Sequence, residues 1–160
     1  MTGVFADADE TPGVLALLEG ARRARTDPVA AESAVKDALA VAPDDFFARL
    51  AAYKFYFYNH RLAEAMPHAA FLVSLLARRL NVAGDWRDLS PGDAAFEELE
   101  EAPSLYLQAL LAWGYCKARL GERAEGAQAI AKVAALDPRD RFGARRLLAV
   151  VSKSGPSEEE

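Results

Sequence analysis

Apolar residues recur every three or four positions along most of the chain, which is the spacing of one face of an α-helix. For example, Phe46, Leu50, Tyr53 and Phe57 fall on one stripe of such a helix. No segment shows the sustained alternation of apolar and polar residues that is typical of a half-buried strand. The pattern therefore predicts an all-α protein, with helices at about 12–25, 28–41, 45–59, 62–82, 91–101, 104–120, 122–136 and 138–152.

Several predicted helices begin with a capping side chain followed by proline, as in Asp27-Pro28, Ser90-Pro91 and Asp137-Pro138. Proline suits the first helical position, because the N–H that it lacks would have no partner there. Pro67 lies further inside its helix, so we expect that helix to start late, near Glu64, or to bend. Residues 1–10 and 154–160 lie outside the predicted helices, and we expect both ends to be disordered.

Helices of similar length joined by short turns indicate helix hairpins, and the sequence contains an internal repeat. Residues 28–45 align with residues 122–140, because both combine small residues with an apolar run that ends near a proline. This repeat resembles the tetratricopeptide repeat. In the last unit the resemblance is carried by Leu110, Trp113, Gly114, Lys117, Gly121, Gly126, Ile130, Val133 and Pro138. In the first unit it is carried by Leu15, Leu18, Ala31, Val35, Ala38 and Pro43, and in a more divergent middle unit by Tyr53, Tyr56 and Ala65.

The resemblance implies a single domain over residues 11–153, built as a superhelical array of about three helix hairpins. The repeats would cover about 12–45, 46–77 and 104–140, with a helical insertion at about 78–103. The last predicted helix, 138–152, matches the solvent-facing capping helix that such arrays need.

The aromatic segment 53–58 is apolar nearly all round, so we expect Tyr53, Phe55 and Tyr56 to lie in the core. In tetratricopeptide proteins the first helix of each repeat lines a concave groove that holds a peptide or a helix. The resemblance implies that the groove-facing residues here are Arg23, Phe47, Lys54, Phe57, Tyr58, Tyr115 and Arg119. Tyrosine and arginine are common binding anchors. The alternative for the same residues is partly exposed packing.

The insertion is acidic over residues 84–103 and contains the apolar residues Trp86, Leu89, Phe96 and Leu99. Two interpretations are open. The insertion docks at the mouth of the groove, as a wall or as an internal mimic of a partner. Alternatively, Trp86 and Phe96 only cover the end of the helix at 62–82.

Other candidate sites have weaker patterns. His60, Glu64 and His68 have the spacing of metal ligands on one helix face, but the repeat places a turn at 59–61, so we expect a Glu64–His68 surface pair instead. Cys116 is expected to be a small buried residue. Four arginines, Arg139, Arg141, Arg145 and Arg146, are expected on a solvated face of the last helix. The chain has no phosphate loop, dinucleotide glycine pattern or nucleophile elbow, so no enzyme activity, metal or cofactor is predicted.

Charge and composition narrow the function. The 160 residues carry a net charge of −5, which argues against a nucleic-acid partner. No apolar run is long enough to span a membrane, and the single cysteine favours a cytoplasmic location. The sequence therefore predicts a non-catalytic protein-interaction module: an adaptor, a scaffold or a chaperone-like protein similar to small bacterial secretion chaperones. A scaffold that self-assembles into a homo-oligomer, and a small-molecule or metal-binding regulatory domain at His60 and His68, are the alternatives.

Overall fold

A computed structural model of the protein describes residues 27–98 and 101–153, and within them the secondary structure is entirely helical, with no strand. The predicted all-α class is thereby confirmed for these residues. The six α-helices are α1 (Pro28–Val41), α2 (Phe46–Tyr58), α3 (Leu62–Leu80), α4 (Glu101–Arg119), α5 (Arg123–Leu136) and α6 (Ala144–Lys153). The helix predicted at 12–25 lies outside the described residues.

Capping side chains fix where the first two helices begin. Asp27 accepts a hydrogen bond from the Ala30 N–H at 3.2 Å, and Pro28 occupies the first helical turn of α1. Asp45 accepts from the Ala48 N–H at 3.0 Å at the start of α2. Each bond satisfies a backbone donor that the helix itself leaves unpaired. These caps place both helices within a residue of their predicted bounds.

The chain divides into two compact units, one ending at His68 and the other beginning at Ala69, so that α3 contributes to both. In the first unit, α1 packs against α2. Small residues allow the approach, since Ala38 and Ala48 are both fully buried where the two helices meet. The division into three repeats stays a prediction.

In the second unit, α4 and α5 form a hairpin, and α6 packs against both. Two glycines lie at the crossing point of the hairpin. A Cβ placed on Gly126 would lie 2.4 Å from the Gly114 carbonyl oxygen and 2.5 Å from the Ala118 nitrogen. These helices are therefore closer than any side chain at Gly126 would allow. Tyr106, Leu110 and Ile130 are among the fully buried residues of this core.

Three helices end with the same hydrogen-bond arrangement. After α2, the Arg61 N–H donates to the Tyr56 carbonyl at 2.8 Å, and His60 between them has a φ of 61°. After α3 and α4, Asn81 (φ 60°) and Gly121 (φ 111°) take the equivalent position. This is the Schellman motif, in which a left-handed residue reverses the chain and the last carbonyls find donors.

The predicted helix at 91–101 is wrong. Among residues 91–98, Pro91–Asp93 form a short 3₁₀ turn, and the next residue, Ala94, is extended. The carbonyls of Phe96 and Glu98 accept hydrogen bonds from the Arg141 guanidinium instead of from later residues of a helix. An arginine distant in sequence therefore replaces the local hydrogen bonds that a helix would need.

The last helix begins at Ala144 and not at 138. Asp137 is 1% exposed, and its carboxylate accepts from the Arg141 N–H at 2.8 Å and from Arg141 Nε at 2.9 Å. Asp140 has a φ of 54°, which interrupts any helix that starts at Pro138. Arg141 consequently lies before the last helix and is largely buried, so the prediction that it belongs to a solvated helix face is wrong.

Pro67 lies inside α3, which begins at Leu62. The expected late start near Glu64 is therefore wrong. The first turn is completed by the Ala65 N–H, which donates to the Arg61 carbonyl at 3.0 Å. Pro67, two residues after Ala65, has no N–H to donate, so α3 lacks one backbone hydrogen bond at this position.

Candidate binding surfaces

The outward side of α2 presents four of the predicted groove residues, Phe47, Lys54, Phe57 and Tyr58, which we call the α2 surface. Tyr58 is 66% exposed. Lys54 is also exposed, whereas Phe47 and Phe57 are half-buried. The Phe57 ring lies 5.5 Å from Tyr58 and 6.0 Å from buried Tyr53, measured between centroids. Exposed Tyr58 therefore lies beside Phe57, and Phe57 in turn lies beside buried Tyr53.

Two of the remaining aromatic residues of this segment, Tyr53 and Tyr56, lie in the core as expected, whereas Phe55 does not. Tyr53 and Tyr56 are 3% and 4% exposed, and Phe55 is half-buried. Lys54 lies between them in sequence, but no carboxylate of the described residues pairs with it. The α2 surface thus combines aromatic area with a positive charge that no carboxylate of residues 27–98 and 101–153 pairs with.

A second pair of predicted groove residues lies on α4, in the second unit. Arg119 Nη1 donates to the Tyr115 hydroxyl at 2.8 Å, and its guanidinium carbon lies 5.6 Å from the Tyr115 ring centroid. Arg119 is exposed and makes no ion pair with a carboxylate of the described segments. Lys117 differs, since its Nζ lies 3.2 Å from Glu125. The last predicted groove residue, Arg23, lies outside the described residues.

The first unit also contains a polar cluster that sequence reasoning missed. Glu32 on α1 accepts from Arg61 at 2.7 and 3.1 Å and from the Tyr56 hydroxyl at 2.9 Å. The hydrogen bonds from Arg61, then from Tyr56, lower the pKa of Glu32 to about 2. Burial, then the same carboxylate, raises the pKa of Tyr56 to about 12. Glu32 and Arg61 are 29 positions apart, so no local pattern indicates the pair.

His68 belongs to the same part of the first unit. Its ring stacks on Tyr56 with centroids 6.0 Å apart, and its Nδ1 lies 3.3 Å from Arg49 Nη1. Burial, and then the charge of Arg49, lower the pKa of His68. Glu64 bonds to Arg61 at 2.7 Å, so the predicted Glu64–His68 pair is wrong. These contacts make His68 a packed side chain between α2 and the start of α3.

The metal hypothesis gains no geometric support. His60 is exposed in the turn after α2, where its left-handed backbone ends the helix. Across residues 27–98 and 101–153, no three His, Cys, Asp or Glu side chains come close enough to hold a metal ion. In the same residues, no helix combines the length and the hydropathy needed to cross a bilayer.

Cys116 is fully buried on α4. Burial raises the pKa of its thiol to about 12. Since the thiolate is the reactive form, this residue has the properties of a packing residue and not of a nucleophile.

Within the second unit the acidic insertion packs on the α4–α5 hairpin. Buried Trp86 meets Trp113 edge-on with centroids 6.0 Å apart, and Phe96 lies 6.0 Å from Tyr106. Both rings therefore contact α4 and do more than cover the end of α3. Polar contacts join the insertion to α5 as well. Arg87 pairs with Glu125, and Lys132 Nζ donates to the Leu89 carbonyl at 2.6 Å.

Comparison with known proteins finds one informative relative. Among curated proteins, the chain is similar to the "Uncharacterized 19.8 kDa protein in nifW 5'region" of Azotobacter chroococcum mcd 1, with 35% identity over 125 residues. The match covers 77% of this chain and 70% of the relative. The chain belongs to the family of this Azotobacter protein.

No family profile matches the chain, and no solved structure matches it. Membership of the Azotobacter protein's family therefore brings no assigned activity with it. The tetratricopeptide resemblance depends on the residue pattern of this chain alone.

Proposed function

We propose that the protein is a non-catalytic binding module of tetratricopeptide type, which holds a segment of a partner protein. One observation carries the proposal. Helices α2 and α4 each present a tyrosine and a basic residue four positions apart, Lys54 with Tyr58 and Tyr115 with Arg119. Neither cation has a carboxylate partner among the described residues. The first helix of each repeat is the one that binds partners in the tetratricopeptide family.

The packing of the second unit supports the repeat assignment. In a tetratricopeptide unit, small residues let the two helices of a hairpin approach closely. Here Gly114 and Gly126 face each other at the crossing of α4 and α5, and left-handed Gly121 ends the first helix. In the first unit, Ala31, Val35 and Ala38, which the resemblance assigns to the same type of position, are all buried.

The exposed groups define the partner's chemistry. A lysine and an arginine with no carboxylate partner in the described part of the chain are suited to carboxylates of a partner, and tyrosine rings supply apolar contact area. Tyr58 is 66% exposed. The segment that fits these residues therefore combines acidic side chains with apolar ones. The protein's site of action under this proposal is the cytoplasm.

Binding measurements on a double variant test the proposal. A partner is first captured on the immobilised protein and identified by mass spectrometry, and its affinity is then measured by calorimetry. Lys54→Glu combined with Tyr58→Ala should weaken binding by about 2 kcal/mol, or roughly 30-fold, while thermal stability stays nearly unchanged. Arg139→Glu, at another exposed site, is the matched charge control and should leave affinity unchanged.

Two outcomes would contradict this function. Equal losses of stability and affinity in the double variant would show that Lys54 and Tyr58 act in packing. Unchanged affinity would show that the partner binds elsewhere. If the captured partner is a second copy of the chain, light scattering after gel filtration will give a multiple of the 17.3 kDa chain mass. The self-assembling scaffold would then replace the module that binds a different protein.

A further inference from the structure

The second unit contains a pocket of about 180 Å³ that neither of the binding surfaces above includes. Its walls come from the second-unit part of α3, from the start of the insertion and from α4. The lining is mainly apolar, with one carboxylate and one hydroxyl, and consists of Ala70, Val73, Ser74, Gly84, Asp85, Trp86, Leu110 and Trp113.

The two indoles of this pocket are placed to contact a cation or an aliphatic stem. Trp86 and Trp113 meet at an interplanar angle of 60°. Cations of the chain already lie near both rings, with the Arg87 guanidinium carbon 4.3 Å from Trp86 and Lys117 Nζ 5.5 Å from Trp113. Indole faces attract cations and also cover the methylene stems of long basic side chains.

Asp85 supplies an available acceptor at the same pocket. Its Oδ1 takes the Arg87 backbone N–H at 3.0 Å and Arg87 Nη1 at 3.3 Å. No hydrogen bond from any described residue reaches Oδ2. The backbone hydrogen bond from Arg87, then that residue's side chain, lower the pKa of Asp85, so the carboxylate is charged at neutral pH. Arg87 is also paired with Glu125.

We propose that this pocket binds a primary ammonium on a straight aliphatic stem, the chemistry of a lysine side chain or of a free alkylamine. The stem packs against the pocket-lining edges of Trp86 and Trp113, and the ammonium donates to Asp85 Oδ2. The size is suitable, since a closed cavity of about 150 Å³ accepts benzene and a four-carbon ammonium has one heavy atom fewer. The site goes beyond the proposed function and shares no residue with the α2 surface.

Intrinsic fluorescence tests the proposal directly, because the chain has only two tryptophans and both line the pocket. The full chain is titrated with N-acetyl-lysine-N-methylamide, and with the norleucine analogue, which keeps a four-carbon stem but has no ammonium. We expect the lysine derivative to give a saturable change with an affinity at least tenfold higher than that of norleucine. Comparable affinities for the two probes would overturn the proposal, as would no saturable change at tens of millimolar.

Two variants separate the charge from the cavity. Asp85→Asn keeps an oxygen that caps the Arg87 N–H and should remove the preference for lysine over norleucine. Ser74→Leu, at an exposed position of the pocket wall, should fill the cavity and abolish binding of both probes. Wild-type affinity for the lysine derivative in either variant would refute the assignment. A titration with butylamine then distinguishes the two sources of the ammonium. An affinity equal to that of the lysine derivative indicates a free amine, and a weaker affinity indicates a lysine within a protein.

Discussion

Replacement of Gly126 by alanine tests the hairpin of the second unit most severely. The added Cβ would lie 2.4 Å from the Gly114 oxygen, 2.5 Å from the Ala118 nitrogen and 2.8 Å from the Ala118 Cβ. Ordinary carbon–oxygen contacts begin at about 3.3 Å and carbon–carbon contacts at about 3.5 Å. Two of the three atoms belong to the backbone, so a change of rotamer cannot relieve the clash. The helices must separate by roughly 1 Å, the difference between these distances.

The magnitude follows from two opposing effects. Overpacking a close helix contact costs about 1–3 kcal/mol, and rigid backbone neighbours place this site at the upper end. Alanine recovers up to about 1 kcal/mol, because it favours a helix interior more than glycine does. We therefore expect Gly126→Ala to lower the free energy of unfolding by about 2 kcal/mol.

Urea unfolding followed by tryptophan fluorescence is the suitable assay, because Trp86 and Trp113 both report on the second unit. Exposed Gln128 lies near the middle of the same helix, and the difference between Gln128→Gly and Gln128→Ala measures the propensity effect alone. If Gly126→Ala is as stable as the wild type after that correction, α4 and α5 do not pack as closely as described.

Three further predictions concern buried or paired groups. Arg141→Ala breaks the ion pair with buried Asp137 and should lower the free energy of unfolding, measured in urea, by about 3 kcal/mol or more. Exposed Arg139→Ala should lower it by under about 0.5 kcal/mol. Similar losses in the two variants would contradict the contribution of this ion pair to stability. Glu32→Gln should lower the free energy of unfolding at neutral pH. The difference in this free energy between variant and wild type should vanish as the pH falls from 4.5 to about 2, because a carboxyl with a lowered pKa stabilises the fold only while ionised. A pH-independent difference would contradict that ion pair. Cys116, with its pKa raised to about 12, should resist a thiol reagent in the native protein and react in urea; rapid native labelling would show that the thiol is accessible.

The sequence predicts local features of the fold well, because their causes are local. Asp27 and Pro28 mark the start of α1 to the residue, and the turn after α2 falls where the repeat places it. The same reasoning fails at residues 91–101 and 138–143. There the backbone bonds to Arg141 and Asp137, and a periodic pattern contains no information on such distant partners.

The candidate binding residues likewise divide into those that a local pattern predicts and those that depend on distant partners. Periodicity separates exposed Lys54 and Tyr58 from buried Tyr53 and Tyr56, because a helix fixes which residues share a face. It does not predict the cluster around Glu32, whose members come from two helices and the turn that follows α2. The pocket at Trp86 and Trp113 likewise requires the insertion to fold back on α4, and the composition of the insertion alone does not reveal this.

The left-handed residues that end α2, α3 and α4 also bear on how this family can be traced. His60, Asn81 and Gly121 occupy a backbone conformation that β-branched and bulky side chains avoid, so substitution there is confined to a small set of residue types. The apolar residues on the helix faces can vary more freely between relatives, since one apolar side chain of similar volume replaces another with little loss of stability. An alignment anchored on these three turns, with glycine, asparagine or histidine expected at each, should therefore recognise distant relatives whose apolar pattern has diverged.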